Sequence, residues 1–174
     1  MRVAVHAADI DEREVEQEAG GDAKAVAALL AREKARAVAG QLPGRLVVGA
    51  DQTLALGDRR FSKPVDRADA KDQLQALRGR THALHSAVAV VQGADLLFEH
   101  TDSAQLTMRA FSDGFIEAYL DATAGAALES VGGYQLERTG IQLFERVEGD
   151  HFTILGLPLL PLLRFLRSAG ALLD

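Results

Sequence analysis

The chain contains no cysteine, so disulfides, thiolate zinc sites and cysteine nucleophiles are all excluded. A cysteine-free composition fits a reducing compartment. Long apolar runs are also missing: Ile154 to Leu163 is about half of the roughly 20 residues that a membrane span requires. The opening residues, Met1-Arg2-Val3-Ala4-Val5-His6, carry neither a signal-peptide apolar region nor a small-residue cleavage pattern. A cytoplasmic protein with no membrane partner is the resulting expectation. Excess positive charge is lacking too. The formal net charge is −6, which argues against broad nucleic-acid binding through displaced counterions. A small anionic substrate remains open, provided that its cations are local and deliberately placed. There is no Walker-type phosphate loop, dinucleotide fingerprint or Gly-x-Ser-x-Gly elbow. The histidines show no metal-ligand spacing, since His82 and His85 would face opposite sides of a strand.

What is present is an ordinary globular composition, 48% hydrophobic and 25% charged over 174 residues, enough for one domain with a sizeable core. No repeat, low-complexity tract or linker divides it, so residues 1–174 read as a single domain. Val3 to Ala8 has β character and an acidic stretch, Asp9 to Glu18, follows. Gly20-Gly21-Asp22 reads as a turn ending in a helix N-cap, and the Ala-rich segment to Ala39 has helical periodicity. Leu46 to Ala50 is a short apolar run ending at Asp51, as in a strand buried on both faces. Gly57-Asp58 suits a turn, and Ala68 to Leu77 a short helix closed by Gly79. Strand-like runs His82 to Val91 and Asp95 to Arg109 flank a Gln92-Gly93-Ala94 hairpin. Ser112 caps a helix running to about Leu120, and Pro158 sits near the first position of a last helix. Glu129 to Asp150 is Gly-rich and mixed in pattern. Alternating strands and helices with an antiparallel hairpin predict an α/β domain with a mixed sheet.

Three residues stand out. Lys34 lies eight residues after Val26, four after Leu30 and four before Val38, so it points along the apolar seam of its helix. Either its stem packs while the ammonium snorkels to water, or the ammonium meets an anion. Asp51 ends the most apolar strand, where α/β domains place ligands. It is read as a metal ligand or base, or as a cap on the next turn. Lys63 precedes Pro64, which biases it toward an extended conformation on a stiff loop, where an exposed lysine is also ordinary. Glu12, inside Asp11-Glu12-Arg13-Glu14, reads by itself as part of a solvated charge run.

Ordered blocks along the chain resemble the Maf family of nucleoside triphosphate pyrophosphatases. They are Asp11-Glu12, Ala31-Arg32-Glu33-Lys34-Ala35, Val48-Gly49-Ala50-Asp51-Gln52 and Lys63-Pro64. Later blocks are Leu77-Arg78-Gly79-Arg80-Thr81-His82, Gly133-Tyr134-Gln135-Leu136-Glu137, Glu148-Gly149-Asp150 and Leu155-Gly156-Leu157-Pro158-Leu159. The resemblance implies a Maf/ITPase-like mixed sheet flanked by helices. It also implies an enzyme, a nucleotide diphosphatase acting on acid anhydrides in phosphorus-containing compounds. Such an enzyme cuts between the α- and β-phosphates and releases a nucleoside monophosphate and pyrophosphate. By the same resemblance Asp51 is the essential carboxylate, activating water or binding a divalent metal (Mg²⁺ or Mn²⁺), and Glu12 is a second functional carboxylate. Lys34 and Lys63 match phosphate-contacting lysines, and Arg80 falls in a substrate-binding block. Gln52 together with Glu137 is similar to the branch that prefers 7-methyl-GTP, whose cationic base suits a carboxylate partner. The resemblance also admits a homodimer, and the alternative reading is a non-catalytic nucleotide-binding or septum-formation regulatory protein.

Two departures carry expectations of their own. Family members open with a strand and a Ser-x-Ser-Pro-Arg-Arg loop leading into a helix. Here the only prolines are Pro43, Pro64, Pro158 and Pro161, none of which precedes an arginine pair. The N-terminal strand and helix are therefore expected to be missing, with a loss of bidentate phosphate contacts that lowers the rate. Arg138 stands where the family usually has glycine and is expected to crowd the base pocket.

Overall fold

A computed structural model describes residues 3–18, 20 and 22–173. The elements in chain order are α1 (Glu12–Glu18), α2 (Ala23–Ala39), β1 (Leu46–Leu56), β2 (Arg59–Phe61), α3 (Arg67–Leu77), β3 (Thr81–Gln92) and β4 (Asp95–Met108). They continue with α4 (Asp113–Thr123), three short 3₁₀ turns, β5 (Phe144–Glu148), α5 (His151–Ile154) and α6 (Leu159–Ser168). The strands form one five-stranded sheet of order β2-β1-β3-β4-β5, the α/β architecture expected. The β1–β2 and β4–β5 pairings are antiparallel.

Helix starts follow the local chemistry. Asp22, Asp66, Ser112 and Asp150 each accept a hydrogen bond from a backbone N–H of the helix they precede. Other expectations need correction. Val3 to Ala8 forms no strand, and Val3 and Val5 lie open to solvent; β propensity makes a strand only where a neighbour takes the backbone hydrogen bonds. The acidic stretch instead yields α1, with Asp11 accepting from Glu14 N–H at its start. Of the expected Gly20-Gly21 turn, Gly21 lies outside the described residues. Pro158, expected near the first position of the last helix, is the residue immediately before α6. β2, β5 and α5 are unanticipated; β5 is exposed along nearly its whole length and shows no apolar alternation.

The chain divides into two compact units, one of residues 1–52, 85–102 and 150–174 and the other of residues 53–84 and 103–149. In the first, the small-residue face of α2 (Ala27, Ala31, Ala35, Val38) packs on Val47 of β1 and on Ala87, Ala89 and Val91 of β3. The alternate residues Val88 and Val90 point the other way, onto Leu162 and Leu166 of α6. This odd/even division is the period of a strand covered on both faces. Gly49 allows the close approach of α2, because a Cβ built there would lie 2.2 Å from the Ala31 carbonyl oxygen and 2.9 Å from Ala35 Cβ.

In the second unit, buried Gln73 of α3 ties two loops together. Its Nε2 donates to the Ser62 carbonyl (3.1 Å), and its Oε1 accepts from Gly132 N–H (3.2 Å). His82 and Tyr134 share a buried hydrogen bond of 2.7 Å and pack with Phe144. Burial pushes the His82 imidazole from 6.5 down to about 4.

Two outcomes follow for stability. Gly49→Ala should lower the unfolding free energy by about 3 kcal/mol, because backbone atoms rather than flexible side chains must give way; urea denaturation measures it, and a near-neutral result would overturn the packing account. For His82, the unfolded chain takes up a proton below about pH 6.5, while the folded chain does so only near pH 4. Stability is therefore full above pH 6.5 and falls as pH drops through this window, by about 3 kcal/mol from this one group. His82→Phe should flatten that part of the stability-versus-pH curve, and an unchanged slope would exclude His82 as its source.

Candidate active site

The period-two alternation of β1 places Val47, Gly49 and Asp51 on the face covered by α2. Lys34 comes down from α2 onto the same face, three residues and just under one turn beyond the contact between Gly49 and Ala31. Its Nζ donates to Asp51 Oδ1 at 2.5 Å and to Glu12 Oε1 at 2.8 Å. The side chains of Lys34 and Asp51 are 22% and 11% exposed, against 54% for Glu12. Of the two alternatives open for Lys34, the ammonium meets an anion.

The electrostatics of this cluster are set by burial first. Burial raises the proton affinity of Asp51. The hydrogen bond from Lys34 opposes that rise, and the nearby carboxylates Glu12 and Glu16 reinforce it, leaving Asp51 above the ordinary carboxylate range. For Lys34, burial works toward neutrality, but the hydrogen bonds from its ammonium to Asp51 and Glu12 outweigh it and keep its proton more firmly than usual. Glu16 lies one turn after Glu12 on α1, and nothing in the charge run Asp11 to Glu14 distinguished it beforehand.

Gln52 points to the opposite face of β1. Its Nε2 lies 2.8 Å from Ser86 Oγ, 3.1 Å from the Thr153 carbonyl and 3.0 Å from the Ile154 carbonyl. The expected base-reading amide is thus engaged by the protein itself.

Lys63, Arg80 and Glu137 belong to the second unit. All three are exposed, and their side chains form no hydrogen bond or ion pair with the described residues. Lys63 lies between Ser62, whose carbonyl is held by Gln73, and buried Pro64. Arg80 immediately precedes β3, where its carbonyl accepts from Met108 N–H at 3.0 Å. Glu137 stands in the turn after buried Tyr134. Arg138, also exposed, lines a cavity of about 210 Å³ together with Tyr119, Gln135 and Gly140.

In the first unit a larger cavity, about 650 Å³, opens beside the ion cluster. Glu12, Lys34 and Arg45 supply its charge, and Val38, Leu46 and Leu166 supply apolar wall. Among the described residues no group of three or more His, Asp or Glu side chains is arranged to hold a metal ion. The carboxylates of Glu12 and Asp51, both directed at one ammonium, fit the smaller donor set of a hard divalent cation. Mg²⁺ commonly takes one or two carboxylates and completes its shell with water and substrate phosphates.

The chain resembles known proteins over nearly its whole length. Residues 1–169 match the family model described as Maf-like protein. The chain is 57% identical over 162 residues to a nucleoside triphosphate pyrophosphatase of Rhodopseudomonas palustris (strain BisB18), covering 92% of this chain and 80% of that protein. It is 58% identical over 162 residues to a protein of the same name from Nitrobacter winogradskyi, with the same coverage of 92% and 80%. A 7-methyl-GTP pyrophosphatase of Rhizobium johnstonii is 56% identical over 170 residues, covering 96% of this chain and 85% of that protein. Among the described residues, no helix is long and apolar enough to cross a membrane.

Because Asp51 is largely desolvated, removing its cation should cost more than removing its charge. Lys34→Met should lower the unfolding free energy by about 2 kcal/mol, and Asp51→Asn by less than about 1 kcal/mol. Chemical denaturation of both variants decides the matter; equal losses would contradict the account of Asp51 as a desolvated carboxylate that depends on Lys34.

Proposed function

The chain belongs to the Maf family, and from that membership we propose that it hydrolyses nucleoside triphosphates between the α- and β-phosphates, releasing a monophosphate and pyrophosphate. The observation that carries the reading is the Glu12–Lys34–Asp51 cluster beside a cavity of about 650 Å³. A carboxylate held above its ordinary proton affinity is suited to accept a proton from water at neutral pH. In this reading Asp51 Oδ takes that proton as the water oxygen bonds to the α-phosphorus, and the bond to the bridging oxygen of pyrophosphate breaks. Lys34, whose charge is secure, turns from its carboxylates toward phosphate oxygen as negative charge develops there.

Asp51 and Glu12 are the residues that would hold Mg²⁺ or Mn²⁺. Such an ion would supply charge neutralisation and polarise the phosphate. Lys63 and Arg80, exposed cations with no hydrogen bond or ion pair from their side chains among the described residues, are assigned to further phosphate contacts. We assign Glu137 to the base. An exposed carboxylate on a turn favours a cationic, methylated guanine over a neutral base, and it can pair with the guanine N1/N2 edge. The substrate is therefore proposed to be 7-methyl-GTP, in the cytoplasm.

Pyrophosphate release from 7-methyl-GTP, dTTP, UTP and CTP with Mg²⁺ or Mn²⁺ is the direct test. Wild-type protein should turn over 7-methyl-GTP fastest, and Asp51→Asn should lose on the order of 10³-fold in kcat. Glu137→Gln should cut the preference for 7-methyl-GTP about 10-fold while sparing UTP. Nucleotide binding without release, unaffected by Asp51→Asn, would replace the hydrolase reading with that of a non-catalytic nucleotide-binding protein.

A further inference from the structure

We propose that Gln52 is a positioning residue for Asp51, a polar bolt that locks β1 to α5, and that it does not read the base. The proposal rests on the hydrolase reading above and concerns how its central carboxylate is held in place. Asp51 and Gln52 are adjacent in the chain and opposite in space. Alternation along β1 sends Asp51 to the α2 face and Gln52 to the face shared by Ser86 and Val88 of β3.

The orientation of the Gln52 amide is determined by its partners rather than assumed. The carbonyl oxygens of Thr153 and Ile154, at 3.1 and 3.0 Å, can only accept, so the NH₂ end must face them. Ser86 Oγ donates its own proton to the Thr153 carbonyl at 2.6 Å, which leaves its lone pairs for Gln52 at 2.8 Å. These carbonyls belong to the last residues of α5, whose final acceptors have no donor within the four-residue helix; the Thr153 carbonyl also accepts from Gly156 N–H at 3.1 Å just beyond it. Gln52 and Ser86 therefore cap α5 from neighbouring strands. Further contacts fix the same turn. Thr153 Oγ1 donates to Asp102 Oδ2 at 3.2 Å, and Asp150 accepts from Phe152 and Thr153 N–H. Gly156, at φ +99°, brings its backbone against the Gln52 side chain, where a Cβ would already touch it at 4.0 Å.

This network leaves Gln52 no spare N–H for a substrate, and Ser86 is wholly buried. The network does constrain the peptide joining Asp51 to Gln52, and with it the direction of the carboxylate on the other face. A displacement of about 1 Å at a reacting group is sufficient to cost on the order of 10²-fold in rate.

Two variants test the bolt. Gln52→Glu places a carboxylate oxygen against two carbonyls, and Ser86→Ala removes one member without touching any surface that a nucleotide can reach. With 7-methyl-GTP, UTP and CTP as probes, Gln52→Glu should lower kcat by ~10²-fold and Ser86→Ala by ~10-fold. KM should stay within about 2-fold and the order of nucleotide preference should be unchanged, because transition-state alignment is lost rather than ground-state binding. A near-normal kcat with an altered nucleotide preference in Gln52→Glu would overturn the proposal and return Gln52 to the base. Amide hydrogen exchange supplies an arm independent of turnover. Exchange of residues 46–56 and 151–157 should rise together in Ser86→Ala, and unchanged exchange would refute the bolt. A wild-type chain that releases no pyrophosphate would instead sink the hydrolase reading, while the exchange result still decides the role of Gln52.

Discussion

The close seating of α2 on Gly49 of β1 is the constraint from which the rest of the site follows. Only a glycine admits the Ala31 carbonyl at the observed separation, and the alanine face of α2 supplies no larger side chain to hold the elements apart. One residue further along the same face of β1 is Asp51, and three residues further along α2 is Lys34. At a helix–strand distance set by larger side chains, an ammonium and a carboxylate at these positions would meet through water. At this distance they meet directly and partly desolvated, with Lys34 22% and Asp51 11% exposed. Desolvation is what turns a common surface pair, worth little to stability, into a group of altered proton affinity.

The opposite face of β1 bears a different load. There the strand meets polar partners, Ser86 and the carbonyls at the end of α5, and makes a largely buried hydrogen-bond network with Gln52 at its centre. Such a network is worth most when every member is satisfied, because each partner polarises the next in a medium of low dielectric. Its effect here is geometric. A strand held on one face by backbone packing at Gly49, and on the other by an amide in fixed orientation, presents the intervening carboxylate in one direction. Rigid support behind a reacting group is the usual requirement for a site that is ready before substrate arrives.

How much of this was legible in advance depended on which physical signal each residue carried. Helices with caps and apolar periodicity, such as 23–39 with Asp22 and 113–123 with Ser112, were readable because the signal is local. β5 and α1 were not, since β5 has no buried residue and α1 opens in a charge run with Glu12 and Glu14 in its first turn. Lys34 was visible as a charge on an apolar seam, but its partners were not, because pairing depends on the distance between elements far apart in the chain. Gln52 is the instructive case. Strand alternation sets it opposite Asp51, yet proximity in the motif grouped the two together as parts of one site. His82, Ser86 and Thr153 gave no sign of their buried partners, for a polar residue in a strand or helix looks the same whether it meets water or a buried group.

The charge balance of the cluster explains why a triphosphate site on this scaffold needs help from beyond its own members. Two carboxylates, Glu12 and Asp51, share one ammonium, so the group carries a formal charge of −1 when both are ionised, and Glu16 adds to the negative field at Asp51. By itself that field repels a polyanion and attracts cations. Lys34 cannot reverse it, because its proton is already shared between two carboxylates at 2.5 and 2.8 Å. A nucleotide can approach such a cluster only with its charge already offset, by a divalent cation accompanying the phosphates or by cations with no carboxylate of their own. Lys63 and Arg80, proposed above for phosphate contacts, are exposed and form no ion pair among the described residues, in a chain whose overall charge is −6. The same negative field that makes Asp51 a stronger base therefore favours a substrate whose phosphates arrive with cations of their own, and cations that stand unpaired in water cost little to keep so.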